Sequence, residues 1–457
     1  MRSFGMRIYF DGFFIKVMLE VIDLSTLQRE TLSVGEKIAL LRIHNKITQV
    51  AFAEEIKAGP GRVSKVENGK GEYTKAQEKA AKILFKIVDL PLSERERVVF
   101  RARLYRWIDA IGARDMEEAR KICKEMANIE NLEPCDFDMV MLCKMIEAYM
   151  MIVENDYVSA EKILSSANSK LERMNAENQY HYYMNKGVMG LIHYQPENGL
   201  SAFHEANKIL GEIEGDLPEK GERLYYNMGQ CYSYMEVTSK AIRYFIKAQQ
   251  LYIDSKKFFL YQYLEQSLSL NYIKANQLDE AKELLDRYLL RAEAAKDGAM
   301  IGYALFGFGH FYKKTSNWKL AIENFKESID YLPSNTDNYF GALFHMIICI
   351  TKSRSFSKAE DELEIAQAES GNNELWSTYF QALEHFLNIS QRMTTINDES
   401  SDYIENIAIP YFRKNHDYFI ALEFCMLLDE HYMKSRRVMK TVQIKNEIID
   451  IKNWVFQ

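Results

Sequence analysis

Residues of the types that most often do chemistry are scattered along this sequence of 457 residues and form no familiar catalytic spacing. It has no glycine-rich phosphate loop, no His-Glu-x-x-His pair and no nucleophile elbow. The one near pair of histidines, His181 and His193, has no carboxylate at a ligand spacing. The six cysteines include no Cys-x-x-Cys pair, which favours buried thiols over disulfides or a zinc site. We therefore expect a protein that is not an enzyme and has no catalytic residues, metal site or cofactor.

The elements that carry these residues are expected to be helices. Only 7 prolines and 21 glycines occur, and 47% of the residues are hydrophobic. Sandwiches and barrels need more turn residues, so the composition predicts an all-α fold with an ample core. No run approaches the roughly 18–20 uninterrupted apolar residues that a membrane span needs. We expect a cytoplasmic protein that does not bind a membrane.

Charge divides the sequence unevenly. Residues 34–90 contain 11 Lys or Arg and 7 Asp or Glu, a net charge of +4, whereas the whole chain carries −7. A small basic module beside a long acidic region is compatible with a nucleic-acid partner for that module alone. We divide the chain into residues 1–32, a module at 33–90 and a repeat domain at 95–457. For residues 1–32, an ordered extra segment and a translation start placed too early, with Met18 as the true start, both stay open.

Four short helices with recognisable boundaries are predicted in the 33–90 module. The boundary signals are an N-cap at Thr48, a first-turn proline at Pro60, a left-handed cap at Asn68-Gly69, a capping box at 74–77 and a last helix running to about Val88. The side chains expected to form its core are Ile38, Leu41, Ala51, Phe52, Ile56, Val63 and Val66.

The second and third of these helices, joined by a tight turn at 57–59, have the form of a helix-turn-helix. The segment resembles the phage-repressor-like (Xre/Cro) DNA-binding domain. The resemblance rests on Gln49 at the start of the second helix, on the stretch 52–54 and on the sequence VSKVENGK at 63–70. It implies that the third helix enters the major groove of a double-stranded DNA operator.

The same resemblance implies which side chains meet the DNA. The residues implied to face base edges are Gly61, Arg62 and Lys65. The residues implied to bind phosphates are Gln49, Ser64, Asn68 and Lys70. Among them, Arg62 is the candidate for a bidentate guanine contact. The sequence departs from the family at 59–61, where Ser or Thr with larger polar neighbours is usual. Base readout is therefore expected to be sparse or shared with DNA shape.

From about residue 95 the sequence repeats itself. The clearest unit places Gly229, Tyr232, Ala241 and Phe245 at the spacing of a tetratricopeptide repeat, in which small residues let paired helices approach. Seven alanines align at intervals of 38 to 42 residues, namely 119, 160, 202, 241, 281, 321 and 359. This period predicts a right-handed superhelix whose first helices line a concave groove suited to an extended peptide.

Polar and aromatic side chains on the first helices are candidates for binding that peptide. A carboxamide can satisfy a backbone N–H and a backbone C=O together, whatever the peptide sequence. The candidates are Asn185, Arg223, Asn227, Gln230, Gln266, Tyr303, Phe306, His310 and His345. Ordinary solvation or hydrogen bonding within a repeat remains the alternative for each of them.

A repressor-like domain followed by a tetratricopeptide array resembles the RRNPP family of peptide-responsive regulators from Gram-positive bacteria and their phages. The resemblance implies quorum sensing or phage communication, in which an imported peptide changes the position of two DNA-binding domains relative to each other. Our hypothesis is a homodimeric transcriptional regulator gated by a short oligopeptide, with dimerisation expected through residues 418–457. The alternative is a repeat-domain adaptor, or a Rap-like protein, that binds and inhibits another regulatory protein.

Overall fold

The computed structural model describes residues 33–85, 94–126, 136–213, 221–254, 258–371, 373–395 and 398–455. Within these ranges the chain forms helices and turns and no strand, so the predicted all-α fold is confirmed. The chain divides into two compact units, Met1–Met189 with Lys208–Pro218 and Gly190–Asn207 with Glu219–Gln457. The predicted segment 1–32 and the predicted boundary between 90 and 95 lie outside the described residues.

The first unit opens with four short helices. They are α1 (Val34–His44), α2 (Gln49–Glu55), α3 (Pro60–Glu67) and α4 (Lys75–Leu84). The predicted start signals are present: Thr48 accepts a hydrogen bond from the N–H of Ala51, and Thr74 forms a capping box with Gln77. Gly69 has φ +71°, the left-handed conformation predicted for the end of α3. The helix α4 ends at Leu84, because Phe85 leaves the helical conformation and stacks on Phe52.

The core of these four helices follows the predicted stripe with one correction. Its side chains are at most 2% exposed at Ile38, Leu41, Phe52, Ala53, Ile56, Val63 and Val66. Ala51, which we expected in the core, is exposed, and Ala53 is buried in its place. The α1–α3 contact is close: a Cβ on Gly35 would lie 2.5 Å from the backbone oxygen of Val66. Glycine is therefore required where these two helices meet.

The rest of the first unit consists of helical pairs. Its helices are α5 (Glu94–Gly112), α6 (Met116–Glu125), α7 (Phe137–Val153), α8 (Tyr157–Asn168), a 3₁₀ turn (Leu171–Arg173) and α9 (Ala176–Ile192), which continues into the second unit. The helix α10 (Pro196–Glu212) begins in the second unit and ends in the first. The aligned alanines Ala119 and Ala160 are fully buried in α6 and α8, the second helices of their pairs.

The second unit continues the pairing. Its helices are α11 (Glu222–Tyr234), α12 (Thr238–Asp254), α13 (Phe258–Lys274), α14 (Leu278–Ala295), α15 (Gly298–Lys314), α16 (Trp318–Tyr331), α17 (Asp337–Lys352), α18 (Phe356–Ser370), α19 (Glu374–Gln391), α20 (Asp398–Tyr403), α21 (Ile409–Lys414), α22 (Tyr418–Lys434) and α23 (Val438–Val455). A π-helical turn, Ile404–Ala408, joins α20 to α21. The first helices α13, α15, α17 and α19 pack on one another in succession, and each packs on the second helix of its own pair.

The repeat pattern has a direct steric basis. A Cβ on Gly229 would lie 2.6 Å from the ring of Phe245, and one on Gly309 would lie 2.5 Å from the ring of Phe325. In these two repeats the glycine of the first helix therefore makes room for the aromatic residue of the second. The turns within pairs repeat too, each with one non-glycine residue at positive φ: Arg114, Asn155, Tyr194, Glu236, Asn276, Ser316, Arg354 and Arg436.

The C-terminal pair is buried on one side only. Phe424, Cys425 and Leu428 of α22 are fully buried in the core of the unit, and so is Val455 of α23. Apolar side chains on the other faces of the two helices are 50–73% exposed, namely Met426, Met433, Val438, Met439, Val442 and Ile449. No described helix is long and apolar enough to cross a membrane.

Candidate functional site

The residues implied to face base edges lie on α3, away from its core side. Val63 and Val66 point into the core, whereas Arg62, Lys65 and Lys70 are exposed. One Arg62 guanidinium nitrogen donates to the backbone oxygen of Glu72 at 2.9 Å, which steadies the side chain without burying it. Cβ atoms built on Gly59 and Gly61 would meet nothing within 4 Å, so the fold itself does not require glycine there.

A buried ion pair fixes the angle between the helices around α3. Glu67 accepts hydrogen bonds from Arg42 Nε at 2.6 Å and Nη2 at 2.8 Å, and from Gln49 Nε2 at 2.6 Å. The Glu67 carboxylate, through these hydrogen bonds, raises the pKa of Arg42 above its ordinary value. Three helices, α1, α2 and α3, therefore meet at one carboxylate, and the Gln49 amide nitrogen is already engaged within the protein.

Two of the implied phosphate contacts also take part in the end of α3. Asn68 Nδ2 donates to the backbone oxygen of Ser64 at 2.7 Å, so this side chain closes the last turn of the helix. Ser64 is partly buried and Asn68 is exposed. DNA binding by these residues and by Gln49 stays a prediction.

Asn227 is the candidate peptide-binding residue whose surroundings are most unusual. It lies on α11, its side chain is 8% exposed, and it makes no hydrogen bond to any described residue. Its neighbour Gln230 donates to the hydroxyl of Tyr226 at 2.6 Å and to Ser267 Oγ on α13 at 3.2 Å. The two carboxamides therefore differ: Gln230 links neighbouring repeats, and Asn227 keeps both of its hydrogen-bonding groups unused.

Asn271 is a related residue that the sequence reasoning missed. It is 1% exposed on α13, and its Nδ2 donates to Ser233 Oγ at 2.9 Å and to the Ser267 backbone oxygen at 2.8 Å. Its Oδ1 is buried and accepts no hydrogen bond from the described residues. The polar side chains of α11 and α13 thus form a ladder that retains unused acceptor capacity.

Asn185, another candidate peptide-binding residue, makes a hydrogen bond inside the fold. It is 3% exposed, and its Nδ2 donates to the backbone oxygen of Met145 at 2.7 Å, within the first unit. This bond ties α9 to α7. The amide nitrogen of Asn185 is therefore already engaged within the protein, and a peptide-binding role for this residue stays a prediction.

Three further candidates also lie on first helices of the second unit. Arg223 on α11, Gln266 on α13 and Tyr303 on α15 are all partly buried. The backbone oxygen of Gln266 accepts a hydrogen bond from Ser269 Oγ at 2.8 Å. These residues share the first helices with Asn227, and their binding role stays a prediction.

The predicted histidines come together on α15 and α17. The imidazole of His310 lies 4.5 Å from that of His345 and 4.6 Å from the ring of Phe306, measured between ring centroids. Lys313 Nζ lies 3.1 Å from His345 Nδ1 and donates at 2.7 Å to Glu423 Oε2 of α22. We call His310, Lys313, His345 and Glu423 the His–Lys cluster.

Both imidazoles of this cluster are held neutral. Burial, and then the positive charge of Lys313, keeps the pKa of His310 and His345 well below the usual range. With Lys313 donating, His345 Nδ1 acts as the acceptor, so its proton sits on Nε2. Glu423 is therefore the group that neutralises the ammonium of Lys313 inside this cluster.

A second set of ionisable side chains lies at the start of α22. Glu236, which is 6% exposed, accepts from Lys274 Nζ at 2.8 Å and from the backbone N–H of Phe419 at 2.7 Å. Asp417 accepts a hydrogen bond from the hydroxyl of Tyr379. Burial, and then the negative charge of Glu236, raises the pKa of the Asp417 carboxyl to about 8. Asp417 is therefore largely protonated at neutral pH.

Other long-range contacts join the beginning of the second unit to its later helices. Tyr194 donates its hydroxyl to Asp337 at 2.7 Å, and Trp454 Nε1 donates to the backbone oxygen of Met235 at 3.1 Å. His416 Nε2 lies 3.4 Å from Glu197. The turn before α22 and the end of α23 thus contact the first repeats of the same unit.

Two cavities lie away from the residues above, one of about 480 Å³ beside Arg413 and Glu447 and one of about 310 Å³ beside Lys144 and Lys162. In the described part of the chain, no three His, Cys, Asp or Glu side chains are grouped to hold a metal ion. The expected buried thiols are present at Cys143, Cys231, Cys349 and Cys425, whereas Cys123 is partly buried and Cys135 lies outside the described residues.

No family model matches the sequence, and no curated protein matches it. Solved structures do match, and they show that this chain has their all-α, helical-repeat fold. This agreement confirms, at the level of the fold, the resemblance stated from the sequence.

The matching structures include those of NprR and Rap proteins. The apo form of the quorum sensor NprR from B. thuringiensis matches with a TM-score of 0.62 at 17% identity, covering 77% of this chain and 98% of that one. NprR in complex with its cognate peptide NprX matches with a TM-score of 0.62 at 18% identity, over 77% and 99%. A Rap protein complexed with Competence and Sporulation Factor matches with a TM-score of 0.66 at 15% identity, over 78% and 98%.

Proposed function

We propose that this protein is a cytoplasmic transcriptional regulator of the RRNPP type, whose DNA binding is switched by a short peptide held along the first helices of the second unit. We assign it no enzymatic activity and no cofactor. The observation that carries the proposal is Asn227, a nearly buried carboxamide without a hydrogen-bond partner among the described residues. Its carboxamide has a donor and an acceptor that no described residue uses, and a peptide backbone offers one acceptor and one donor to pair with both.

The fold supports this proposal through its relatives. NprR is described with its cognate peptide NprX, and the Rap protein is described with Competence and Sporulation Factor. A protein that shares their helical-repeat fold has first helices that can present side chains at regular intervals along an extended ligand.

The DNA-binding part of the proposal rests on α3. Arg62 and Lys65 are exposed on the side of this helix that faces away from Val63 and Val66. Long basic side chains on the free face of the second helix of a helix-turn-helix are the groups that reach base edges and phosphates. A hydrogen bond from the Arg62 guanidinium to the Glu72 backbone oxygen steadies this exposed side chain.

A homodimer completes the proposal, because one module with few base-reading side chains binds weakly and two half-sites multiply the affinity. Its expected interface is the C-terminal pair. Val438, Val442 and Ile449 form an apolar stripe on α23 that is 50–71% exposed. Contiguous exposed apolar surface of this kind is typical of contacts between proteins.

The peptide-binding part is tested with a matched pair of variants and a pool of synthetic heptapeptides. Asn227→Ala should weaken peptide binding at least tenfold and leave the melting temperature nearly unchanged, because it removes no internal hydrogen bond. Asn185→Ala should lower the melting temperature and leave peptide affinity unchanged, because it breaks the bond to Met145. Calorimetric titration and thermal unfolding of both variants distinguish the two roles. Equal peptide affinity in Asn227→Ala and the wild type would contradict the assignment.

The DNA-binding part is tested by selecting duplexes from a random-sequence library. Arg62→Ala should reduce discrimination between selected and random DNA by about 1–3 kcal/mol while the fold stays intact. Selective binding that the heptapeptide pool alters supports the regulator. Binding that is unselective and indifferent to peptide would favour the adaptor alternative, in which the repeat domain inhibits another protein.

A further inference from the structure

The His–Lys cluster contains a charge whose only neutralising partner within the cluster comes from far along the chain. Lys313 and Glu423 are 110 residues apart, and their side chains are only 16% and 19% exposed. The other close partner of Lys313, the imidazole of His345, is neutral. If Glu423 left without a replacement, an ammonium group would stay in a largely desolvated position, which is unfavourable.

The helix that carries Glu423 has its main packing contacts with helices other than α15, the helix of Lys313. The helix α22 packs mainly on α19, α21 and α23, and it reaches α15 through the Glu423 side chain. Its first turn is held by one more carboxylate from the beginning of the unit, because Glu236 accepts the N–H of Phe419. The carboxylate at Lys313 is thus supplied by a neighbouring element and is not built into the repeat itself.

Ion pairs of this kind are exchangeable. The net free energy of a Lys–Glu pair is small, because the Coulomb attraction is largely offset by desolvation of both groups. A second carboxylate that brings additional contacts of its own can therefore displace the first. A neutral group cannot, because it would leave Lys313 without a counter-charge.

We propose, building on the peptide-binding function above, that the peptide ligand is acidic and that one of its carboxylates takes the place of Glu423 on Lys313. Glu423 is then an intramolecular stand-in for the ligand, and its departure breaks the ion pair between α22 and α15. Asn227 holds the peptide backbone whatever its sequence, and Lys313 adds a requirement for charge. Two sources share this chemistry, an Asp or Glu side chain and the C-terminal carboxylate of the peptide.

The first experiment compares four pools of synthetic heptapeptides, with or without Asp and Glu, and each with a free or an amidated C-terminus. Affinity selection on the full-length protein is read by mass spectrometry, and the strongest binder of each pool is titrated by calorimetry. We expect the acid-free amidated pool to bind at least tenfold more weakly than the best of the other three. Preference for acidic pools after amidation identifies a side chain, and preference for free termini identifies the C-terminal carboxylate. Equal affinity across all four pools would overturn the proposal.

The second experiment changes the two partners separately. Glu423→Gln should tighten binding of the selected acidic peptide about tenfold, because the internal competitor is gone. Lys313→Gln should abolish the preference for acidic over neutral peptides, and Lys313→Arg should retain it, which shows that the site is still folded. The matched control is Lys282→Gln, which removes an exposed lysine from its surface pair with Asp286 and should change neither affinity.

The outcomes separate this inference from the proposed function. If no pool binds either the wild type or Glu423→Gln, peptide binding itself is refuted. If peptides bind and Asn227→Ala weakens them, but charge has no effect in any variant, only the carboxylate inference fails.

Discussion

Asp417 gives the second unit a pH dependence of stability whose sign and size follow from its surroundings. Its carboxyl accepts a hydrogen bond from the Tyr379 hydroxyl. Burial and the negative charges of Glu236 and Asp337 raise its pKa, whereas the positive charge of Lys274 lowers it. The pKa is about 8 in the folded protein against 3.8 as its ordinary value. The folded state therefore binds this proton more tightly, so stability falls as pH rises towards 8.

The expected size is obtained by integrating proton uptake. Between pH 7 and pH 8, a carboxyl with a folded pKa of about 8 removes about 1 kcal/mol of unfolding free energy. The pH interval lies above 6.5 because His310 and His345 have lowered pKa values in the folded protein. Below pH 6.5 the unfolded state binds more protons at these two groups, so their contribution makes stability rise with pH and opposes that of Asp417. Asp417→Asn keeps an acceptor for the Tyr379 hydroxyl and carries no titratable group. The unfolding free energy of Asp417→Asn should therefore lack this decrease of about 1 kcal/mol between pH 7 and pH 8.

The assay is urea unfolding at pH 7 and pH 8 for the wild type, Asp417→Asn and a control. Asp286→Asn is a suitable control, because Asp286 is 53% exposed in a surface pair. From pH 7 to pH 8, the unfolding free energy of the wild type and of the control should fall by about 1 kcal/mol more than that of Asp417→Asn. Identical slopes in all three proteins would show that Asp417 is ionised at neutral pH and would refute the reasoning.

Three further changes test other parts of the structure. Glu67→Ala should cost about 3–5 kcal/mol in urea unfolding, because it leaves the 9% exposed Arg42 without its counter-charge, and a loss below 1 kcal/mol would contradict this. Gly309→Val should cost about 1–3 kcal/mol, because the new Cβ meets the ring of Phe325, and an unchanged melting temperature would contradict it. Val442→Glu should convert dimers to monomers in sedimentation experiments, and a persisting dimer would place the interface elsewhere.

The elements were predictable where local rules decide them. Thr48 and Thr74 mark helix starts because their side chains cap the backbone within three residues, and the structure places both caps as predicted. The glycine and phenylalanine spacing of the repeats was readable because Gly229 and Gly309 each face a phenylalanine ring of the next helix. Such signals lie within one helix or one pair, so the sequence alone carries them.

The roles of individual polar residues were less predictable. Asn185 and Asn227 look alike in sequence, since both are carboxamides on first helices. Only the packing distinguishes them, because Asn185 meets a backbone oxygen 40 residues earlier and Asn227 meets no described partner. Lys313 and Glu423 escaped notice for the same reason: spacing within a repeat does not say which distant repeat lies opposite.

The contacts that join the start of the second unit to its end alter how this unit is expected to unfold. An open repeat array has only nearest-neighbour interfaces and can fray from either end. Here Trp454 reaches Met235 across 219 residues, and Phe419 reaches Glu236 across 183. These contacts raise the contact order, and a topology with more non-local contacts forms more slowly. They also couple the terminal repeats to the first ones. Loss of the last helical pair is therefore expected to destabilise the first repeats as well, so that the unit unfolds cooperatively.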